Sequence, residues 1–166
     1  MNYIDVWTTN FFESKCILGD GHSVELEASP LFLLQFACLL SRSQAWRDRS
    51  ILRIMMLVSS GEDEEVTAKK FKTYLGTLRI RAEIVLVSID DREQQSRGNF
   101  STWVNSLILS KRSPQTAVTF LQLSDNIEKA MGLIKPQNEV LSTASSMLAD
   151  VGPTVLVHGL QNIISR

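Results

Sequence analysis

The sequence predicts an α/β protein built on a doubly wound, mostly parallel sheet of about five core strands with helices on both faces. Two observations carry this expectation. Between Pro30 and Ile89 an apolar helix, an apolar strand, an amphipathic helix and a second apolar strand follow one another almost without interruption, as the core of a parallel sheet does. Across the whole chain the predicted order is β, α, β, α, β, α, β, α, β, which calls for right-handed crossovers. No internal repeat is present.

Taken in order, Tyr3 to Thr8 alternates β-branched and aromatic residues and predicts a first strand at the N-terminus. Asn10 to Glu27 is a long polar insertion expected to be mobile, with a Gly19-Asp20-Gly21 turn, in which Ser23 to Glu27 adds a short extended piece. Ser29 and Pro30 then start a helix, because serine caps free amides and proline at the first helical position forgoes no hydrogen bond. Leu33, Phe36, Ala37 and Leu40 share the face expected to be buried. Ile51 to Val58 is apolar on both sides apart from Arg53, the pattern of an interior parallel strand. Gly61 to Glu65 brings carboxylates to the first turn of the next helix, where the macrodipole favours them, and Phe71, Tyr74, Leu75 and Leu78 form its buried stripe. Ala82 to Ile89 is the third core strand, and Asp90 to Asn99 is a polar, aromatic-free loop expected to be mobile.

Phe100, Trp103, Val104 and Leu107 fall at helical spacing, and Pro114 closes that segment before the strand Thr116 to Leu123. Ser124 to Lys135 shows no regular pattern. Pro136 restarts a helix that turns Val140, Ala144, Met147, Leu148 and Val151 inward until Gly152-Pro153 stops it. Thr154 to His158 is the last core strand, with Leu160 to Ile164 an edge strand beyond it.

At 166 residues the chain suits one domain, 1–166, burying roughly 70% of the surface its unfolded form exposes. Apolar content of 44%, charged content of 21% and a net charge of -1 describe a soluble globular chain. The 17 basic residues are scattered, with no stripe for nucleic acid. Cys16 and Cys38 suit a reducing setting, Cys38 as a small hydrophobe within an apolar helix. The longest apolar run, Leu31 to Leu40, falls well short of the roughly 18 to 20 residues that cross a bilayer. Met1 is not followed by a secretory leader, so the Asn99-Phe100-Ser101 sequon is read as accidental.

In a doubly wound sheet the ligand crevice lies at the carboxyl ends of the strands where their order reverses, here the loops after Thr8 and after Leu123. The first holds Gly19-Asp20-Gly21-His22 but no glycine pattern that leads into a helix and cradles phosphate. His22 and His158 have no partners at metal-ligand spacing and are read as structural or exposed. Asp90-Asp91 is read as a solvated loop start, since adjacent strand residues point to opposite faces. There is no G-x-S-x-G, C-x-x-C or H-E-x-x-H pattern. No catalytic, cofactor-binding or metal residue is therefore assigned. Ser50, after Arg47-Asp48-Arg49, and Ser113, before Pro114, are candidate phosphorylation sites, where a phosphate would change the charge at an element's end. Trp46 and Trp103 are read as core residues on helical stripes.

The strand Tyr3-Ile4-Asp5-Val6-Trp7, the block Leu31-Phe32-Leu33-Leu34-Gln35 running to Ala45-Trp46, Leu52-Arg53-Ile54 and Leu78-Arg79-Ile80-Arg81-Ala82-Glu83 resemble the cytosolic C-terminal domain of the cation-chloride cotransporters, solute carrier family 12. That family follows an I-D-V/F-W/Y strand with a leucine-rich helix, a tryptophan with basic residues, an L-R-I/V-F strand and an L-R-I-x-A-E turn. Ala117-Val118-Thr119-Phe120-Leu121 and Gly152 to Gly159 look most like its divergent cotransporter-interacting branch, because the common transporters end in a V-R-G type pattern where Val157-His158-Gly159 stands. The resemblance covers nearly the whole chain and only the distal half of the family's cytosolic domain. Two segments depart from it: Asn10 to Glu27 replaces an acidic, glycine-containing loop, and Asn162-Ile163-Ile164-Ser165 replaces an aromatic final strand.

The resemblance implies a non-catalytic regulatory and dimerisation domain on the cytosolic face of a membrane. Its expected partners are the transmembrane domain and proximal cytosolic half of the same transporter, a second copy, or related cotransporters. The parent protein would move chloride with sodium or potassium through helices that this chain lacks. Some members bind ATP in the proximal half, so no nucleotide residue or other cofactor is carried over. A chain that starts in one strand and ends just past another is expected to be a portion of a longer protein. The competing expectation is a stand-alone nucleotide-binding domain of the universal-stress-protein type, which has the same topology.

Overall fold

The computed structural model describes residues 1–8, 28–59, 63–89, 100–123 and 137–158. Within these residues five strands, β1 (Asn2–Trp7), β2 (Ser50–Ser59), β3 (Glu83–Ile89), β4 (Thr116–Leu123) and β5 (Thr154–His158), alternate with four helices. These are α1 (Ala28–Arg42), α2 (Glu64–Thr77), α3 (Phe100–Lys111) and α4 (Gln137–Met147). All pairings are parallel, and the strand order is β3-β2-β1-β4-β5. The chain thus winds outward in one direction from β1 to β3, then returns to the other side of β1, which is the doubly wound arrangement expected. The order reverses between β1 and β4, so the crevice rule points beyond Thr8 and Leu123, as the sequence indicated. The loops themselves, the mobility expected at 10–27 and 90–99, and the edge strand at 160–164 lie outside the described residues.

Two apolar layers follow from strand alternation. On one side Ile4, Val6, Leu52, Ile54, Met56, Val118 and Phe120 meet Leu33, Leu34 and Ala37 of α1 and Phe71 and Leu75 of α2. On the other, Trp7, Met55, Leu57, Val87, Ile89 and Leu121 meet Val104 and Ile108 of α3 and Met147 of α4, with Val151 just beyond it. Burying both faces of the central strands is why β2 reads as a continuous apolar run rather than an alternating one.

Local signals set the helix ends. Asp63 caps α2, its Oδ1 accepting from the amides of Glu65 at 3.0 Å and Val66 at 3.1 Å. At the other end Arg79 N donates to Gly76 O and Ile80 N to Leu75 O, the paired bonds of a Schellman motif. Asn105 of α3 donates to the carbonyls of Met147 (3.0 Å) and Ala149 (2.7 Å), closing the end of α4. Gly152 has φ +85, a left-handed backbone conformation that requires glycine, and the Arg112 guanidinium lies beside it.

Two packing expectations need correction. In α1 the fully buried residues are Leu33, Leu34 and Ala37, Leu40 is half-buried and Phe36 is exposed. Leu31 to Leu40 is apolar nearly all round, so its spacing did not phase the buried face. Trp46 lies in the turn after α1 rather than on a helix, although its ring does pack against the first layer. Trp103 of α3 packs half-buried against the second layer.

Candidate functional site

The most polar part of the interior is built from residues of three neighbouring strands, β1, β2 and β4. Asp5 of β1 stands beside Arg53 of β2 in the sheet register, and both side chains lie on the α3/α4 side. Arg53 Nε donates to Asp5 Oδ1 at 2.8 Å and its NH2 to Oδ2 at 2.7 Å, a bidentate pair. Thr116 Oγ1, at the start of β4, donates to Asp5 Oδ2 at 2.8 Å and accepts from Arg53 NH2 at 3.2 Å. The guanidinium also lies 4.1 Å from the centre of the Tyr3 ring. Asp5 is 3% and Arg53 12% exposed. Both carboxylate oxygens are therefore occupied, and the arrangement holds strands together rather than offering an acid or base to a substrate. Sequence reasoning missed this network, treating Arg53 as an isolated exception. The available signal was two opposite charges, each placed in an otherwise apolar interior strand.

The two candidate phosphorylation sites occupy structured positions. Ser50 is half-buried at the start of β2, and its Oγ donates to Trp46 O at 2.9 Å. Ser113 forms a turn in which its Oγ accepts from Gln115 N at 3.2 Å and its own amide donates to Thr116 Oγ1 at 3.2 Å. The structure does not bring them together: Ser113 abuts the Asp5 network, whereas Ser50 lines a cleft at the amino-terminal edge of the sheet. His22 and the Asp90-Asp91 pair lie outside the described residues, and of His158 only its place at the end of β5 is described. Among the described residues no group of three His, Cys, Asp or Glu side chains is placed to hold a metal ion.

One surface stands out by being apolar. Phe32, Phe36 and Leu39 of α1, at positions i, i+4 and i+7, are 43%, 46% and 68% exposed. The rings of Phe32 and Phe36 stack at 6.4 Å, and Phe36 meets Phe120 of β4 edge-on at 5.9 Å. Phe120 pairs in turn with Val155 of β5. Val155 and Val157 are half-buried on this same side. α1 packs over β1, β2 and β4, so the row continues past the helix onto the β5 edge. Such contiguous exposed apolar surface is characteristic of contact with another macromolecule.

Among the described residues no helix is long and apolar enough to cross a membrane. No family model matches the chain. Two relatives do. The chain is 36% identical over 173 aligned positions to solute carrier family 12 member 9 of Danio rerio, covering 96% of this chain and 18% of that protein. It is 33% identical over 178 positions to the protein of the same name from Xenopus laevis, covering 95% of this chain and 19% of the relative. Both relatives bear the name of a transporter family rather than of an enzyme. The chain spans about a fifth of the length of the curated relatives it matches.

Proposed function

From its homology to one region of solute carrier family 12 member 9, which makes this chain a cation-chloride-cotransporter-related domain, we propose that it is a non-catalytic regulatory and dimerisation domain. It acts on the cytosolic face of a membrane as part of a multi-pass transporter, joined to that protein's transmembrane domain and proximal cytosolic half. The observation that carries this reading is the apolar row of Phe32, Phe36 and Leu39 continuing to the β5 edge. A second copy, or the equivalent face of a related cotransporter, is the occupant that fits it. The row itself is uncharged, so recognition would rest on apolar burial, and an isologous pairing places the same helix on both sides of a two-fold axis.

The test is the mass of the 166-residue chain in solution, by sedimentation over a range of concentrations. The expected result is a concentration-dependent dimer that Phe36→Glu and Leu39→Glu each convert to monomer without loss of helical content. A monomer at every concentration, or a dimer indifferent to both substitutions, would remove the dimerisation role from this face. The strand order also suits a nucleotide site at the β1/β4 crevice. Calorimetry with ATP and AMP separates the two readings, because saturable micromolar binding of AMP, which carries a single phosphate, as well as of ATP would favour the stand-alone nucleotide-binding domain.

A further inference from the structure

At the opposite edge of the sheet from that crevice, the C-terminal ends of α1 and α2 and the starts of β2 and β3 border a cleft of about 980 Å³. That is the upper end of the roughly 300–1,000 Å³ range of small-molecule pockets. Its wall carries Arg42, Arg47, Arg79 and Arg81 against one carboxylate, Glu83, among the described residues. Basic residues at helix C-termini are ordinary, because the macrodipole favours them there. Arg42, in the last turn of α1, fits that description: its NH2 donates to Arg79 O at 2.9 Å, and Arg47, in the turn that follows, donates from Nε and NH2 to Arg42 O at 3.4 Å. They tie the cleft wall together.

Arg79 and Arg81 are different. Both are exposed, and among the described residues neither guanidinium has an ion-pair or hydrogen-bond partner. Arg79 moreover has φ +55, at the position of the Schellman motif where glycine is the usual residue. A side chain kept in a backbone conformation that disfavours it, with its carbonyl gripped by Arg42 and its charge left open, is the pattern of a residue held for binding. Half-buried Ile80 and Ala82 line the same cleft, and apolar surroundings strengthen the hydrogen bonds a bound anion would accept.

We propose that this cleft binds a small anion bearing more than one phosphate, with Arg79 and Arg81 as its main contacts and Arg42 and Arg47 completing the positive wall. The guanidinium groups of residues lining one cleft offer the paired donors that phosphate oxygens accept. A singly charged carboxylate would leave most of that positive charge uncompensated. The same chemistry is offered by a free polyphosphate and by a phosphorylated lipid headgroup.

Calorimetry of the 166-residue chain with inositol hexakisphosphate, and flotation with phosphatidylcholine vesicles with and without phosphatidylinositol 4,5-bisphosphate, test the site and its source together. Saturable binding is expected, weakened about tenfold by Arg81→Gln, the loss of one charge-assisted contact. Arg79→Gly is expected to weaken it similarly while leaving the melting temperature no lower, which separates lost binding from lost folding. Flotation that requires the phosphoinositide assigns the lipid source, and binding of the soluble probe alone assigns the free one. No binding of either probe, or binding unchanged in the Arg79→Gly, Arg81→Gln double variant, overturns the proposal.

Discussion

Arg53 and Arg79 each interrupt an apolar segment, and the molecule treats them in opposite ways. Arg53 lies inside the sheet with its charge spent on both oxygens of Asp5, the Thr116 hydroxyl and the face of Tyr3. Arg79 sits at the rim with its backbone in the left-handed region and its guanidinium unpaired among the described residues. Full pairing marks a charge that serves the fold, because an unpaired buried charge would not be tolerated. Strain without pairing marks one that serves something outside the fold. Both arginines sit in Leu-Arg-Ile triplets, Leu52-Arg53-Ile54 and Leu78-Arg79-Ile80, so the same local sequence stands in an interior strand in one case and at a helix end in the other.

The sharpest way to break the comparison is at the interior pair. Arg53→Met leaves Asp5 buried without its cation and should lower stability by about 3–5 kcal/mol, read as a shift in the urea midpoint at unchanged slope. Adding Asp5→Leu in the same chain should restore much of the loss, since a buried pair replaced by apolar groups of similar volume is often close to neutral. Arg81→Gln, by contrast, should stay within about 0.5 kcal/mol of the parent, as surface substitutions do. If Arg53→Met proved as mild as Arg81→Gln, the pairing would have no structural role.

A second contrast lies within α1. Leu34, fully buried, should lose about 2–5 kcal/mol on truncation to alanine. Phe36→Ala should lose only about 1 kcal/mol, the order of its edge-on contact with Phe120. Thermal unfolding of the two variants, at a concentration where the chain is monomeric, gives the comparison. The reverse order would mean that Phe36 rather than Leu34 anchors the helix, and that the exposed row is misassigned.

The same residues show how much the sequence could say. Strand β2 was legible because an interior strand is apolar on both faces, and β4 and β5 because Pro114 and Gly152-Pro153 mark where each begins. The crevice position followed from strand order, which the alternation of elements anticipates. What escaped depends on contacts between distant segments. The Asp5–Arg53 pair spans 48 positions and Thr116 closes it across 111, and no local period records such distances. The phase of α1 escaped because Leu31 to Leu40 is apolar at every position but Gln35, so spacing alone allows more than one buried face. The cleft escaped because its four arginines come from two helix ends that converge only in the fold.

The smallest expected effect is the one with an unusual sign. Arg79→Gly removes a side chain from a left-handed residue, where the steric penalty on an L residue is roughly 1–2 kcal/mol. Glycine's greater freedom in the unfolded chain returns about 0.4–1 kcal/mol of that relief. The bond from Arg42 NH2 ends on the Arg79 carbonyl, a backbone atom the substitution keeps, and the two amide bonds closing α2 are likewise untouched. The net expectation is a gain of roughly 0.5 kcal/mol, measurable as a small rise in urea midpoint. A clear loss would instead place Arg79 with Arg53 as a residue the fold needs. A gain accompanied by weaker binding of inositol hexakisphosphate would mean that the arginine occupies a glycine's place at the expense of stability, because its charge faces the ligand.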